Sequence, residues 1–402
     1  MERAPTATRL PSDPPAYRSP EVLADGRVAF RLWAPLARRV EVGGTFRYYE
    51  RGPWPERVPD SFPLDRDGEG LWTYETPPLE PGYYNYGFRV DGVPVVDPQN
   101  PHSRPLGLGT SRSYLGVPVP AGEPALHEVR PGLARGVTHM ETVRSDVLER
   151  EVGCWVYTPP GYDPGQGDEA YPVLYLLHGR GDDERGWYYD GRAAVVLDTL
   201  IGTGAIRPVV VAMPYGQLTG LPGDPRGAAP AVSAHPVDGA ATTAGPRPAL
   251  RPPNPREGEY FLQEVAGMVE ARYRVRRDPA GRAMAGLSMG GGQSLRIMAS
   301  HPGQVAAVGG FSAALMGGGG GADPDPDALR AALAPLRLLY LSRGHLESER
   351  LAPSFDRLVA AVKELAPSVP DLTLQADIKR GGHEWQLWIR CLAEFLRLWQ
   401  PV

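Results

Sequence analysis

The pentapeptide Gly286-Leu287-Ser288-Met289-Gly290 constrains the fold more than any other feature, because the form G-x-S-x-G is typical of a sharp turn between a strand and a helix. Small apolar residues precede it at 281–285, and helix-forming residues follow at 291–298. Such a turn forces its serine into unfavourable backbone angles, and the flanking glycines leave room where strand and helix cross. Because 49 of the 402 residues are glycine, the pattern needs support from its surroundings.

The second half of the chain supplies that support, since it alternates between strand and helix patterns. Continuous apolar runs are typical of strands that are covered on both faces, and they occur at 152–157, 173–177 and 208–213. Helix-like segments are predicted near 191–203, 258–272, 291–300, 351–365 and 385–398. This alternation predicts an α/β domain with a mainly parallel sheet over 141–402. Within it, residues 217–257 are rich in Gly, Pro and Ala and predict a long loop, either a lid or a disordered insertion.

The first part of the chain has an all-β pattern. Short strands separated by Gly, Pro and Asp are predicted at 28–33, 40–42, 71–75 and 84–90, and Asp91-Gly92 is a strong hairpin signal. We therefore expect a small β-sandwich over 25–118, preceded by a flexible arm at 1–24 and followed by a linker at 119–140. Five aromatic residues could stack on sugar rings, although core packing is the commoner role of aromatics in strands: Trp33, Trp72, Tyr83, Tyr84 and Tyr86.

Composition excludes several classes of partner. The formal net charge is −5, and the only lysines are Lys363 and Lys379, so no dense basic surface for nucleic acid or membrane is expected. The partners we expect are neutral or small, and the sequence does not predict an oligomeric state. Cys154 and Cys391 lie far apart and predict buried thiols rather than a disulfide or a zinc site. The first thirty residues contain no apolar stretch typical of a signal peptide, which leaves a cytoplasmic protein or a secreted one without its leader.

A nucleophilic serine needs a histidine as general base, and in the strand-turn-helix arrangement this histidine follows the serine in the chain. Three histidines do so: His301, His345 and His383. His383 is best placed, because it lies between the strand pattern at 372–376 and the last helix pattern. The sequence therefore predicts acyl transfer through Ser288 and His383, without a metal or cofactor.

The third member should be an acid that follows the preceding strand pattern at 336–341. Glu347 comes first in that loop, Glu349 is its main rival, and Asp356 is predicted to lie inside the next helix. An oxyanion hole needs two N–H donors, which we assign to Met289 and to either Arg180 or Gly181. His178, beside them, is expected to orient this loop rather than act as a base.

The C-terminal domain resembles the esterase D and carbohydrate esterase family 1 group of α/β-hydrolases. Five segments carry the resemblance: Tyr157 to Tyr162, His178 to Asp183 with Trp187, Met213 to Gly216, Ala285 to Gly292, and Gly382 to Trp385. The sandwich resembles the isoamylase or glycogen-branching type of carbohydrate-binding module, through Phe88 to Gly92 and Asp97 to Pro101. Sandwich and hydrolase together are the arrangement of two-domain feruloyl and acetylxylan esterases.

The resemblance implies hydrolysis of feruloyl or acetyl esters of plant polysaccharide, as in xylan degradation, or of related small aryl esters. Two alternatives stay open: an enterochelin-type siderophore esterase and an acyltransferase on the same fold. Trp187, Tyr188 and Tyr215 are plausible walls of the acyl pocket, with core packing an equally good interpretation. The chain departs from the family in having Glu347 where Asp is usual and in the length of the 217–257 insertion.

Overall fold

The computed structural model describes residues 14–105, 111–120, 126–165, 170–218, 254–314, 325–347 and 351–401. The chain divides near residue 120 into two compact units. The predicted insertion at 217–257 lies mostly outside the described residues, as does Glu349.

The first unit is built from antiparallel strands in two sheets, ordered β1-β2-β6-β5 and β4-β3-β7-β10-β9, with β8 paired to β7. The strands are β1 (Glu21–Val22), β2 (Val28–Trp33), β3 (Val40–Gly44), β4 (Phe62–Pro63), β5 (Asp65–Arg66), β6 (Leu71–Glu75), β7 (Gly82–Val90), β8 (Val93–Val95), β9 (Ser103–Pro105) and β10 (Ser111–Val117), with a 3₁₀ turn at Thr45–Tyr48. The predicted hairpin joins β7 to β8, since Asp91 and Gly92 both have the positive φ angles that a two-residue turn requires.

Aromatic side chains fill the space between these two sheets. Phe30 on β2 and Tyr86 on β7 have ring centroids 4.8 Å apart, so the sheets pack face to face. Trp72, Tyr84 and Tyr86 are buried, which favours the core interpretation for these three of the five predicted sugar-stacking aromatics. Trp33 and Tyr83 are half-buried.

The sandwich begins earlier than the predicted boundary at residue 25. Strand β1 pairs with β2, and the buried Ser19 hydroxyl accepts a hydrogen bond from the Arg31 N–H at 3.1 Å. The arm prediction is therefore wrong for these residues. Polar and proline-rich composition misled it, because a short edge strand needs only backbone hydrogen bonds to join a sheet.

The second unit is a sheet with the order β11-β12-β14-β13-β15-β16-β17-β18. Its strands are β11 (Val137–Ser145), β12 (Arg150–Thr158), β13 (Val173–Leu177), β14 (Val210–Pro214), β15 (Arg282–Leu287), β16 (Ala307–Phe311), β17 (Leu338–Gly344) and β18 (Thr373–Lys379). Strands β14, β13 and β15 to β18 are parallel, whereas β11 and β12 add an antiparallel hairpin at one edge. The predicted mainly parallel sheet is confirmed.

Helices cover both faces of this sheet. They are α1 (Gly186–Tyr189), α2 (Ala193–Gly202), α3 (Glu257–Glu259), α4 (Ala266–Arg272), α5 (Met289–Ser300), α6 (Pro326–Leu333), α7 (Ala352–Leu365) and α8 (Trp385–Leu398), with a π-helix at Tyr260–Val265 and 3₁₀ turns at Pro279–Gly281 and Ala366–Ser368. Residues of α4 to α7 share one core cluster, while Phe395 of α8 packs on the opposite face against Phe311 and Tyr340. None of the described helices is long and apolar enough to cross a bilayer.

One strand and two α-helices described in the second unit were not predicted. Strand β11 begins inside the proposed linker, so the linker prediction is wrong from residue 137 onwards, and α1 and α6 are additional. β11 is an edge strand whose polar side chains hide the alternation that marks a half-buried strand, and α1 is too short to produce a helical period. Both thiols are buried as expected, Cys154 on β12 and Cys391 on α8.

Candidate active site

Ser288 occupies a strained turn between β15 and α5. Its φ and ψ angles are 51° and −112°, a region that L-residues rarely adopt. Its N–H donates to the Phe311 carbonyl at 2.8 Å, and its own carbonyl accepts from Gly292 and Ala314. These bonds hold the turn in place while the side chain remains partly exposed.

The glycines on either side of Ser288 are required by close backbone approach. A Cβ on Gly286 would lie 2.6 Å from the Gly290 carbonyl carbon and 2.7 Å from the Leu177 carbonyl oxygen. One on Gly290 would lie 2.6 Å from the carbonyl oxygens of Leu177 and His178. The strand and helix therefore cross at a separation that only glycine allows.

The loop after β13 lies next to this turn. A Cβ built on Gly179 would be 3.6 Å from the Ser288 Cβ. The neighbouring His178 is buried, and its Nε2 accepts a hydrogen bond from the Gly216 N–H at 2.8 Å. Its Nδ1 therefore carries the proton and donates to the Gly179 carbonyl at 2.7 Å. Both ring nitrogens are thus engaged, and the bond from Gly216 connects the loop after β14 to the loop after β13, which supports an orienting role.

His383 lies beside Glu347 at the carboxyl ends of β18 and β17. The His383 Nδ1 and Glu347 Oε2 atoms are 3.3 Å apart, within ion-pair distance, although their angle falls outside hydrogen-bond geometry. Oε2 is buried and accepts no hydrogen bond from the described residues, whereas Oε1 accepts from the Gly344 N–H at 3.2 Å. The carboxylate is thus fixed at one oxygen and directed at the imidazole with the other.

The competing residues have other surroundings. His301 lies at the end of α5 and bonds to the Ser300 hydroxyl, and His345 accepts from the Gly381 N–H at 3.1 Å. Asp356 lies within α7, as predicted, and pairs with Arg343. His383, by contrast, faces the carboxylate of Glu347, the acid predicted from the sequence.

The two predicted candidates for the second oxyanion donor differ in their backbone bonds. The Gly181 N–H donates to the Gln217 side-chain oxygen at 3.0 Å, so it is already engaged. The Arg180 N–H has no acceptor among the described residues. Met289 is the first residue of α5, where an N–H has no acceptor within the helix. The geometry thus favours Met289 and Arg180 over Gly181.

The sequence did not reveal the two glutamines that organise this edge. Gln217 binds the Gly181 N–H, and buried Gln293 of α5 donates to the Gly216 carbonyl at 2.7 Å. The available signal was a glutamine in the helix predicted directly after the serine, since such a side chain needs a polar partner when the helix packs on the sheet.

The three predicted pocket walls have different environments. Trp187 is 1% exposed and donates its indole N–H to the Leu177 carbonyl, so the substrate-binding prediction is wrong and the core interpretation holds. Tyr188 is half-buried and packs edge-to-face with Trp155. Tyr215 is half-buried with its ring 5.8 Å from that of His178, and it remains a candidate wall.

The loop between Gly179 and α1 carries three carboxylates, on Asp182, Asp183 and Glu184. Burial acts to raise the pKa of Asp183, but hydrogen bonds and charge from Arg185 outweigh it and lower that pKa. Burial raises the pKa of Glu184, whose carboxylate packs over Gly153. Burial likewise raises the pKa of Tyr215, which the Arg150 guanidinium 5.2 Å from its ring opposes. Half-buried ionisable side chains therefore surround the loop after Gly179, which lies next to Ser288.

Comparison with known proteins identifies the family. A family model described as putative esterase matches residues 145–398, more than half of the chain. The chain belongs to this esterase family. A second model, described as carbohydrate-binding module 48 or isoamylase N-terminal domain, matches residues 17–99. Both resemblances seen in the sequence are confirmed, as is the order of a β-sandwich followed by an α/β esterase domain.

Relatives of this esterase-family chain include an endo-1,4-beta-xylanase/feruloyl esterase of Xylanibacter ruminicola, 27% identical over 396 residues. The alignment covers 95% of this chain and 46% of that protein, so the chain spans about half the length of this relative. An enterobactin esterase structure from Shigella flexneri has a TM-score of 0.64 at 19% identity and covers 93% of each chain. A ferulic acid esterase structure has a TM-score of 0.50 at 21% identity, covering 66% of this chain and 98% of the other. These structural likenesses support the fold.

Proposed function

We propose that this chain is a carboxylic ester hydrolase in which Ser288, His383 and Glu347 act as a catalytic triad. The observation that carries the proposal is the buried Glu347 carboxylate directed at the His383 Nδ1, at the same sheet edge as the strained Ser288. With Nδ1 facing the carboxylate, the imidazole leaves Nε2 available as the base.

The reaction would proceed in two steps. The Ser288 hydroxyl oxygen attacks the acyl carbon while Nε2 of His383 takes its proton, and Glu347 stabilises the resulting imidazolium. The N–H groups of Met289 and Arg180 hold the oxyanion. The imidazolium then protonates the departing alcohol as its bond to the acyl carbon breaks. Water next attacks the acyl carbon of the acyl-enzyme while His383 takes a proton from it. The imidazolium then returns that proton to the Ser288 oxygen as its bond to the acyl carbon breaks and the carboxylic acid is released.

For the substrate, we propose feruloyl or acetyl esters of plant polysaccharide or related small aryl esters. The relative named a xylanase/feruloyl esterase, which aligns with 95% of this chain, supports this class. The half-buried Tyr215 offers an aromatic wall near the serine loop, which suits an aryl acyl group.

A siderophore esterase of the enterochelin type is the second candidate, because the match to the enterobactin esterase structure covers 93% of this chain. Rates on methyl ferulate, acetylated xylan and a catecholate trilactone, measured side by side, separate these candidates. An acyltransferase would be recognised by transfer of the acyl group to an added acceptor alcohol instead of water.

The decisive test of the mechanism is Ser288→Ala, assayed on an aryl ester, with Ser300→Ala as the matched control. Ser300 ends the same helix and its hydroxyl bonds to the Arg296 carbonyl. We expect Ser288→Ala to lose at least about 10³-fold in kcat, as removal of a triad member does, and Ser300→Ala to retain the parent rate. Full activity of Ser288→Ala would refute the proposal.

A further inference from the structure

The His383 imidazole contacts an aromatic ring as well as a carboxylate. Its centroid lies 5.0 Å from the ring of Trp388 at an interplanar angle of 88°, an edge-to-face arrangement. Trp388 belongs to α8, whose start is fixed by Glu384, since that side chain accepts from the N–H groups of Gln386 and Leu387. The helix therefore holds Trp388 at a set position relative to His383.

Trp388 is itself held from the other side. Its indole N–H donates to the Ser312 hydroxyl at 2.9 Å, and both side chains are buried. Ser312 has a φ of 50°, a left-handed conformation that is unfavourable for a residue with a Cβ, and its N–H donates to the Ser342 carbonyl at 2.6 Å. Glycine would relieve that strain, but it would leave the buried indole N–H without its acceptor.

The same short segment also holds the nucleophile. Phe311, directly before Ser312, accepts the Ser288 N–H at 2.8 Å, and the Ala314 N–H donates to the Ser288 carbonyl at 2.8 Å. Residues 311–314 thus bond the backbone of Ser288 and the side chain that packs on His383. A shift of this segment would move both together.

Glu347 alone cannot define the orientation of the imidazole. It contacts one ring atom, Nδ1, so the ring can still rotate about that contact, and the His383 side chain is 34% exposed and follows two glycines. A misdirected Nε2 is costly, because proton transfer requires a hydrogen-bond distance to the serine oxygen. The edge-to-face contact with Trp388 restricts this rotation of the imidazole.

We propose that Trp388, held by Ser312, is a positioning residue that sets the plane of the His383 imidazole relative to Ser288. The inference rests on the proposed catalytic roles of Ser288 and His383. It assigns a purpose to the strained serine at position 312, which the proposed chemistry does not otherwise use.

The test is steady-state kinetics of Trp388→Phe on an aryl ester, with Trp399→Phe as the control. Trp399 is also buried, packs on Phe395 and lies at the end of the same helix, remote from His383 in sequence. We expect kcat of Trp388→Phe to fall about tenfold or more with KM within about twofold, as expected when an interaction acts on the chemical step. Trp399→Phe should keep the parent kcat.

Ser312→Gly is the second variant, since it removes the acceptor while relieving the backbone strain. We expect it to unfold at no lower temperature than Ser312→Ala, yet to lower kcat in the same direction as Trp388→Phe. If Trp388→Phe does not fold, the kcat of Ser312→Gly tests the positioning role of Trp388. An unchanged kcat in Ser312→Gly, or an equal loss in Trp399→Phe, would overturn the inference. An inactive Ser288→Ala beside a fully active Trp388→Phe would refute only the positioning role, whereas an active Ser288→Ala would refute the proposed function itself.

Discussion

Glu347 Oε2 lies 3.3 Å from Nδ1 of His383, and the Glu347 side chain is almost fully buried while the imidazole is one-third exposed. A carboxylate in this position stabilises the imidazolium and selects the tautomer in which Nε2 is the base. Glutamine at 347 would keep the shape but remove the charge. We expect Glu347→Gln to lower kcat by about 10⁴-fold on an aryl ester.

Glu349→Gln is the matched control for that variant, because it makes the same change two residues further along the sequence. Its activity should equal that of the parent. The reverse pattern, with Glu349→Gln inactive and Glu347→Gln active, would transfer the acid role to Glu349.

The crossing of β15 and α5 leads to a paired prediction for two glycines. Alanine at Gly290 would bring a Cβ to 2.6 Å from two carbonyl oxygens, and overpacking of this kind costs about 1–3 kcal/mol. A Cβ on Gly267 of α4 would meet no described atom within 4 Å apart from its chain neighbours and its own helix backbone, so alanine there should stabilise the helix by about 0.5–1 kcal/mol. Chemical denaturation measures the change in the free energy of unfolding for each variant. Equal changes in the two variants would contradict the close crossing of β15 and α5.

The two thiols should be inert in the folded protein. Burial raises the pKa of Cys391 to about 12, and it raises the pKa of Cys154 as well. At pH 8 a thiol with that pKa is ionised in only about one molecule in ten thousand. We expect iodoacetamide to label neither cysteine in the native state and both in guanidinium chloride, as measured by mass spectrometry. Rapid labelling of native protein would show that one of these residues is accessible.

Tyr86 joins β7 of the sandwich to the turn at 97–100 through its hydroxyl, which donates to Asp97 at 2.7 Å and accepts from Asn100 at 3.0 Å. Removing that hydroxyl deprives two buried polar groups of a hydrogen-bond partner, so Tyr86→Phe should lower the free energy of unfolding by about 1–3 kcal/mol. Tyr74→Phe is the control, because Tyr74 is half-buried and stacks on Phe62 through its ring. Similar losses in both variants would contradict the role assigned to the hydroxyl.

Much of the fold follows from the sequence, because continuous apolar runs and helical periods are strong signals. β13 matches its predicted bounds, and Ser288, Glu347 and His383 all follow parallel strands whose carboxyl ends meet at one sheet edge. What the sequence could not provide is side-chain direction. Trp187 points into the core rather than the pocket, and the Gly181 N–H is engaged by Gln217, a residue 36 positions away.

Ser288, Glu347 and His383 each follow the end of a parallel strand, and this placement determines how the chain tolerates insertions and deletions. Paired residues fix the register of β15, β16, β17 and β18 against one another, from Leu287 opposite Phe311 to Gly344 opposite Lys379. Deleting one residue within a strand would displace its end by about 3.3 Å and turn its side chains to the other face. Length changes in the loops leave that register intact, so variation in loop length can alter substrate preference while the serine and histidine keep their places.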